Sequence, residues 1–324
     1  MRAVVAETLG PPEALRVREL PDPEPGRGEI RVAVRAAGVN FADSLIIEGR
    51  YQVRAEPPFV PGAELAGVVD AIGPGVRQPA VGDRVLATVP HGAFAEKAVV
   101  PAEAAVPIPD GIDDETAAVL PIVYPTSYAA LALRAGLRRG ETLLVHAAAG
   151  GVGLAAVQIG KALGARVFGT AGGPEKCEVV RSAGAELAID YRAEDFRAAV
   201  MEATRGRGVD VVYDPVGGDT TDESIRCLAW NGRLLVVGFA SGTIPAIRAN
   251  RILLRNIGVL GLHWPAWRDH DPEGVRTTFD AIFRMVQDGS LAPRIADRVP
   301  LERAPDAIRA VASRATTGKI VVLP

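Results

Sequence analysis

The chain is poor in the residues that most often build metal or covalent chemistry. It carries two cysteines, Cys177 and Cys227, and four histidines, His91, His146, His263 and His270, in 324 residues. Two cysteines exclude a disulfide framework and fit a reducing compartment. The histidines lack the close spacing of a metal-ligand set. Basic residues are scattered and the net charge is −3, so the footprint of a nucleic-acid binder is missing. No stretch approaches the ~18 uninterrupted apolar residues of a membrane span, and Glu7 falls where the apolar core of a secretory signal would continue. The expectation from these absences is a soluble cytoplasmic protein that uses neither membrane nor nucleic acid.

What the chain has is glycine and a large apolar fraction, 35 glycines and 48% hydrophobic residues, enough for two domains with sizeable cores. The most informative stretch runs from Thr142 to Gly164. An apolar run, Thr142 to His146, stops at Ala147–Ala149 and Gly150-Gly151-Val152-Gly153, and an alanine-rich helical pattern follows to Leu163. Strand, glycine turn, helix is the order a dinucleotide pyrophosphate requires. Glycines admit close approach of backbone to phosphate, and the free N–H groups of the helix start face the anion. A glycine cluster alone also suits a plain tight turn; the strand and helix on either side favour the cofactor.

From 1 to about 118 the chain reads as short strands and turns, among them residues 30–35, 67–75 and 81–86, punctuated by prolines. From about 119 to 262 it alternates: strands at 142–146, 166–169, 209–213 and 233–238, with helices at 152–163 and 176–183 between them. Short apolar strands alternating with helices indicate a parallel sheet covered on both faces. After 263 come a helix at 274–288 and strands at 294–299 and 319–323. This tail is too short for its own domain and is expected to complete the first, β-rich unit. The fold class is α/β, with domains 1–118, 119–262 and a return segment 263–324.

These stretches resemble the medium-chain dehydrogenase/reductase superfamily, in its zinc-free NADPH:quinone oxidoreductase branch. The resemblance rests on segments 37–43, Gly49-Arg50-Tyr51, 61–69, 81–85, 147–153, 214–218 and 318–322, in that order over nearly the whole chain. It implies a GroES-like, mostly β catalytic domain built from both chain ends and a Rossmann domain between them. Zinc members of the superfamily hold catalytic metal at positions occupied here by Asn40, Ala63 and, approximately, Ile122, none of which supplies thiolate or imidazole. A metal-free enzyme is therefore expected, working on an acceptor that is already electrophilic.

An NAD-selective site places an acid about twenty residues past the glycine turn. Here the strand ends Thr170-Ala171-Gly172-Gly173-Pro174 without one, and Lys176 follows, although Glu175 lies beside it. NADPH is the expected cofactor. By resemblance, Gly172, Lys176 and Tyr191 line its adenosine phosphate end. Val216, Gly217, Gly238, Phe239, Ala240 and Ser241 hold ribose and nicotinamide at strand ends, and Leu262 and His263 reach the same cleft.

By the same resemblance Asn40, Asp43, Tyr51 and Thr126 line the nicotinamide and substrate. Each also has a plainer reading: Asn40 turning a loop, Asp43 capping a helix, Tyr51 packing with its hydroxyl satisfied, Thr126 starting a helix. Lys319 suits either a cofactor phosphate or solvent, with solvent the commoner fate. Cys177 reads as a small buried helix residue.

The implied reaction is hydride transfer from NADPH to a quinone or an α,β-unsaturated carbonyl compound. Enoyl or alkenal reduction is the neighbouring alternative, and an NADPH-binding sensor or crystallin-like protein without catalysis is the rival. The apolar strand 257–262 suits the edge of a homodimer.

Overall fold

The computed structural model describes residues 1–51 and 54–324. The chain divides into two units, Met1–Ile122 with Pro293–Pro324, and Val123–Ala292.

In the first unit, β-branched and small residues alternate along Glu29–Gly38, the long central strand. Its start pairs antiparallel with Lys97–Pro101 and its end with Lys319–Leu323, while Glu64–Ile72 runs along its other edge. Ile295–Pro300 lies beyond Lys319–Leu323, and Arg84–Thr88 with Ala105–Pro107 extends the opposite side. Ile30, Val32, Leu65, Val69, Phe94, Ile320 and Val322 form the core of this unit. A separate ribbon pairs Arg2–Val5 with Arg16–Glu19.

In the second unit, six parallel strands lie in the order Leu187–Asp190, Arg166–Ala171, Thr142–Val145, Val209–Asp214, Leu228–Val236, Gly258–Gly261. Numbered along the chain from Thr142–Val145, that order is 3-2-1-4-5-6, the doubly wound arrangement whose switch point lies between the first and fourth strands. Leu144, Phe168, Val212, Leu234 and Ile189 fill one side of the sheet.

Local departures from the sequence reading are small, one excepted. The strand expected at 67–75 occupies Glu64–Ile72, and the one at 81–86 occupies Arg84–Thr88 because 81–83 form its turn. The larger departure is where the chain returns to the first unit: at 292/293 rather than 262/263. Helix Pro272–Gln287 buries Phe279, Ile282 and Phe283 and packs on helix Val123–Tyr128. Beyond it, the Gln158 amide clasps Ala292, donating to its carbonyl at 2.8 Å and accepting its N–H at 3.3 Å. Helical periodicity shows that a segment has an apolar face, but not which sheet that face covers.

Candidate functional site

The glycine turn of the second unit begins where the fully buried strand Thr142–Val145 ends. Ala147 adopts a left-handed φ of 49°, a conformation that costs a non-glycine residue on the order of 1 kcal/mol. It is held there by two bonds, Ala148 N–H to Thr170 O at 2.9 Å and Gly150 N–H to Ala147 O at 3.0 Å. Gly150 caps helix Gly151–Ala162. A Cβ at Gly153 would collide with the Ala147 carbonyl oxygen, so only glycine lets the helix start this close to the strand. The first N–H groups of that helix, on Gly151, Val152 and Gly153, have no intrahelical acceptor by the geometry of a first turn. The cradle suits an anion.

Behind the cradle lies a network of hydroxyls around a buried imidazole, with the Asp214 carboxylate close enough to act on the ring. His146, fully buried, meets the Thr170 hydroxyl through Nδ1 at 3.0 Å and the Ser224 hydroxyl through Nε2 at 2.7 Å. Ser224 donates its own proton to Thr220 O, which leaves Nε2–H as donor and Nδ1 as acceptor. Burial pushes the imidazole down to about 4. The ring ties the ends of the first two strands to the middle of helix Asp219–Cys227. Sequence spacing showed His146 only as one scattered histidine; its place directly after a buried strand, at the start of the turn, was the available signal.

Asp214 ends the fourth strand and organises the far side. Its Oδ1 accepts the N–H groups of Val216 (2.8 Å) and Gly217 (3.0 Å), and Oδ2 accepts the Thr221 hydroxyl. Two neighbouring loops then zip together: Ala240 N–H to Pro215 O, Ser241 N–H to Val216 O, and Gly218 N–H to Thr243 O. A Cβ on Gly217, at φ 76°, would stand 2.8 Å from Thr243 O and 3.0 Å from the Phe239 ring. The structure thus brings Val216, Gly217, Phe239, Ala240 and Ser241 into one patch, with Gly238 packed near Pro215. Leu262 follows the sixth strand and bonds to Val236 O. His263 is exposed and caps helix Trp264–His270. Thr126 lies inside helix Val123–Tyr128 rather than at its start. At the tip of the second strand, Gly172 lies under the Tyr191 hydroxyl, and Lys176 sits in the first turn of helix Pro174–Ser182.

In the first unit the polar centre is ionic. The Lys319 ammonium, 5% exposed, donates to Asn40 Oδ1 (2.6 Å), Val39 O (2.7 Å) and Glu64 Oε1 (2.7 Å). Glu64, completely buried, also accepts from Asn40 Nδ2 at 2.9 Å and from Ile122 N–H at 3.0 Å. Lys319 is therefore not solvated, as its residue type suggested. Strand Lys319–Leu323 lies against the end of Glu29–Gly38, whose other neighbour starts at Glu64, and the pairing register brings the ends of all three strands together. Both ends of the Asn40 amide are engaged by this ion pair. Glu64 was missed from the sequence; an acid inside the apolar run after Pro61-Gly62-Ala63 was its signal.

Asp43 caps helix Phe41–Ile47 through Oδ2, which accepts the Asn40 N–H at 2.7 Å. Its Oδ1 is buried with no hydrogen-bond partner among the described residues, and burial raises the carboxyl to about 7. The Tyr51 phenol, half-buried, is pushed up first by burial and then by the charge on Asp43. Among the described residues no three His, Cys, Asp or Glu side chains group as a metal site, and no helix is long and apolar enough to cross a membrane.

Comparison with known proteins agrees with this geometry. Residues 26–110 match the alcohol dehydrogenase GroES-like domain family and residues 151–282 the zinc-binding dehydrogenase family. A quinone oxidoreductase of Pseudomonas aeruginosa is 41% identical over 318 residues, 97% of each chain. A 2-haloacrylate reductase of a Burkholderia species is 36% identical over 336 aligned positions, 99% of this chain and 98% of that protein. The crystal structure of Escherichia coli quinone oxidoreductase complexed with NADPH superposes with a TM-score of 0.91 at 32% identity, covering 100% of both chains.

Proposed function

The chain belongs to the medium-chain dehydrogenase/reductase superfamily, in its quinone oxidoreductase branch, and from that premise we propose an NADPH-dependent reductase of quinones. NADPH supplies the hydride when bound. The carrying observation is the second unit's glycine cradle combined with an acid-free tip on its second strand. In this reading the second unit is the dinucleotide-binding domain and the first the catalytic domain.

The residues present fit the cofactor. Gly151, Val152 and Gly153 offer N–H donors to the pyrophosphate, and Gly150, Gly151 and Gly153, after Ala149, leave bare Cα positions beside it. Gly172, Lys176 and Tyr191 receive the adenosine phosphate. The zipped patch of Val216, Gly217, Gly238, Phe239, Ala240 and Ser241, with Leu262, His263 and Thr126, receives ribose and nicotinamide.

In the first unit an ammonium, not a metal, balances the buried carboxylate, since Lys319 already meets Glu64 and the Asn40 oxygen. That donor set supports zinc independence: Asn40, Ala63 and Ile122 give no thiolate or imidazole. Asn40 acts as a positioning residue, holding the start of the helix that bears Asp43. Quinones need no Lewis acid, because their carbonyls already accept a hydride-equivalent, and the quinol oxygen takes its proton from water. Chelation with excess EDTA, followed by desalting, is expected to leave NADPH oxidation by a benzoquinone unchanged; loss of activity restored by zinc would defeat the reading.

A second reading, reduction of a carbon–carbon double bond conjugated to a carbonyl, is favoured by the 2-haloacrylate reductase likeness. An enolate carbon benefits from a placed proton donor, and Tyr51 beside Asp43 is the candidate. General-acid catalysis is worth ~10²-fold or more. Tyr51→Phe is expected to lower alkenal turnover by about that factor while leaving quinone turnover within about twofold. Equal rates on both substrates would remove Tyr51 as donor. NADPH binding without oxidation by any acceptor would instead support a sensor.

A homodimer belongs to the same proposal. Ile244, Leu253 and Leu254 are 74%, 75% and 72% exposed, and among the described residues the edge strand Gly258–Gly261 is paired on one side only. Light scattering should give twice the chain mass, and Leu253→Glu should halve it. A cytoplasmic setting is supported by two buried, unpaired thiols.

A further inference from the structure

We propose that Arg192 is the main determinant of preference for a 2′-phosphorylated adenine nucleotide. The assignment rests on the NADPH reading above.

Strand Leu187–Asp190 lies beside Arg166–Ala171, and two bonds lock the turn after one to the tip of the other. Tyr191 N–H donates to Ala171 O at 3.2 Å, and Gly173 N–H donates to Asp190 Oδ1 at 2.9 Å. The register places residues 191 and 192 directly over the bare Gly172. A Cβ there would lie 2.7 Å from the Tyr191 hydroxyl and 2.9 Å from Arg192 Nε. Two polar heads, one cationic, thus converge on a position with no side chain, at the strand tip where dinucleotide folds place the adenosine ribose.

Asp190, at the end of the neighbouring strand, is the acid nearest the tip. Its Oδ1 is already taken by the N–H groups of Gly173 and Arg192, at 2.9 and 3.0 Å. These bonds hold its carboxyl below the usual range and make it the strut that aims the turn. Arg192 acts on the Asp190 carboxylate only beyond ion-pair distance. Arg166, Arg197 and Arg207 of the same unit each pair with a carboxylate. Among the described residues no carboxylate lies within salt-bridge distance of the Arg192 guanidinium. An exposed, unpaired guanidinium over a bare glycine presents a planar fork, which matches a phosphate in two bonds where an ammonium offers one point charge.

The test needs no turnover. The full-length protein is titrated by calorimetry with adenosine 2′,5′-bisphosphate and with adenosine 5′-monophosphate. The wild type should prefer the bisphosphate. Arg192→Gln should weaken it by ~10- to 100-fold, the size of a charged hydrogen-bond pair, and leave the monophosphate within twofold. Arg192→Lys should fall between. Thermal melting of both variants should match the wild type, since the side chain is exposed.

An unchanged preference in Arg192→Gln, with a collapse in Lys176→Gln or Tyr191→Phe, overturns the assignment and leaves the NADPH reading standing. An equal loss for both nucleotides overturns it too, because that reports a disturbed cradle. A wild type that favours the monophosphate, or binds neither nucleotide, defeats the NADPH reading and the assignment with it.

Discussion

His146 in the second unit and Asp43 in the first are both sealed from solvent, and burial moves them in opposite directions. The imidazole falls to about 4 while the carboxyl rises to about 7. The cause is shared: a low-dielectric surrounding disfavours whichever form is charged. What differs is how each neighbourhood meets its polar groups. Around His146 every hydrogen-bond partner is a hydroxyl or a backbone group, and the Asp214 carboxylate acts on the ring without reversing the effect of burial. Around Asp43 the helix start is built on a buried ion pair, Lys319 with Glu64, and Asp43 Oδ1 is left without a partner among the described residues. A hydroxyl network serves a rigid cradle for an anion brought from outside. An ionic one carries its own compensation, and its stability depends on both members staying in place.

The largest expected effect comes from breaking that pair. Lys319→Met leaves Glu64 charged and buried, and should cost about 3–5 kcal/mol of unfolding free energy. Adding Glu64→Leu to it should recover much of the loss, because two apolar side chains leave no orphaned charge. Denaturant melts of the single and double variants decide the point; a single-variant cost under about 1 kcal/mol would show that water reaches the cluster.

Titration tests the opposition directly. A histidine whose folded value is depressed contributes stability that is full above its unfolded value, near 6.5, and is lost as pH falls toward about 4. A carboxyl whose folded value is raised behaves inversely: its contribution is full below about 3.8 and is lost as pH rises through about 7. Between pH 6.5 and 4.5 the two slopes oppose each other. On acidification across that span, Asp43→Asn should lose roughly 3 kcal/mol relative to wild type and His146→Gln should gain about as much, because one proton is linked to about 1.36 kcal/mol for every tenfold change in acidity. Melting curves of both variants at the two pH values read this out, and parallel curves would mean neither group is as buried as described.

The smallest change sharpens the contrast. Thr170→Val keeps shape but removes the donor to His146 Nδ1, at an expected cost of about 1 kcal/mol. A cost as large as that of Lys319→Met would mean the cradle depends on its hydroxyl network as heavily as the first unit depends on its ion pair.

The glycine cradle was legible because its chemistry is local. Gly150 to Gly153 lie within one turn, and the clash that bars a side chain at Gly153 is with Ala147, six positions away. The alternation of strands and helices, and with it the α/β class, was legible for the same reason. The cluster of Asn40, Asp43, Glu64, Ile122 and Lys319 was not. Asn40 and Lys319 stand 279 positions apart, and only antiparallel registry across three strands brings them together. Asn40 stood out because it replaces a metal ligand, but its partners had no sequence signal linking them. The return point failed similarly, since helix Pro272–Gln287 shows its apolar face without showing what it covers.

Sequence alone thus determined the family, the doubly wound strand–helix alternation and the backbone cradle, all encoded in short-range spacing and steric demand. Tertiary structure decided which charges are buried, which are compensated and which lie beyond ion-pair distance, because burial and pairing depend on segments that meet only when the sheets close.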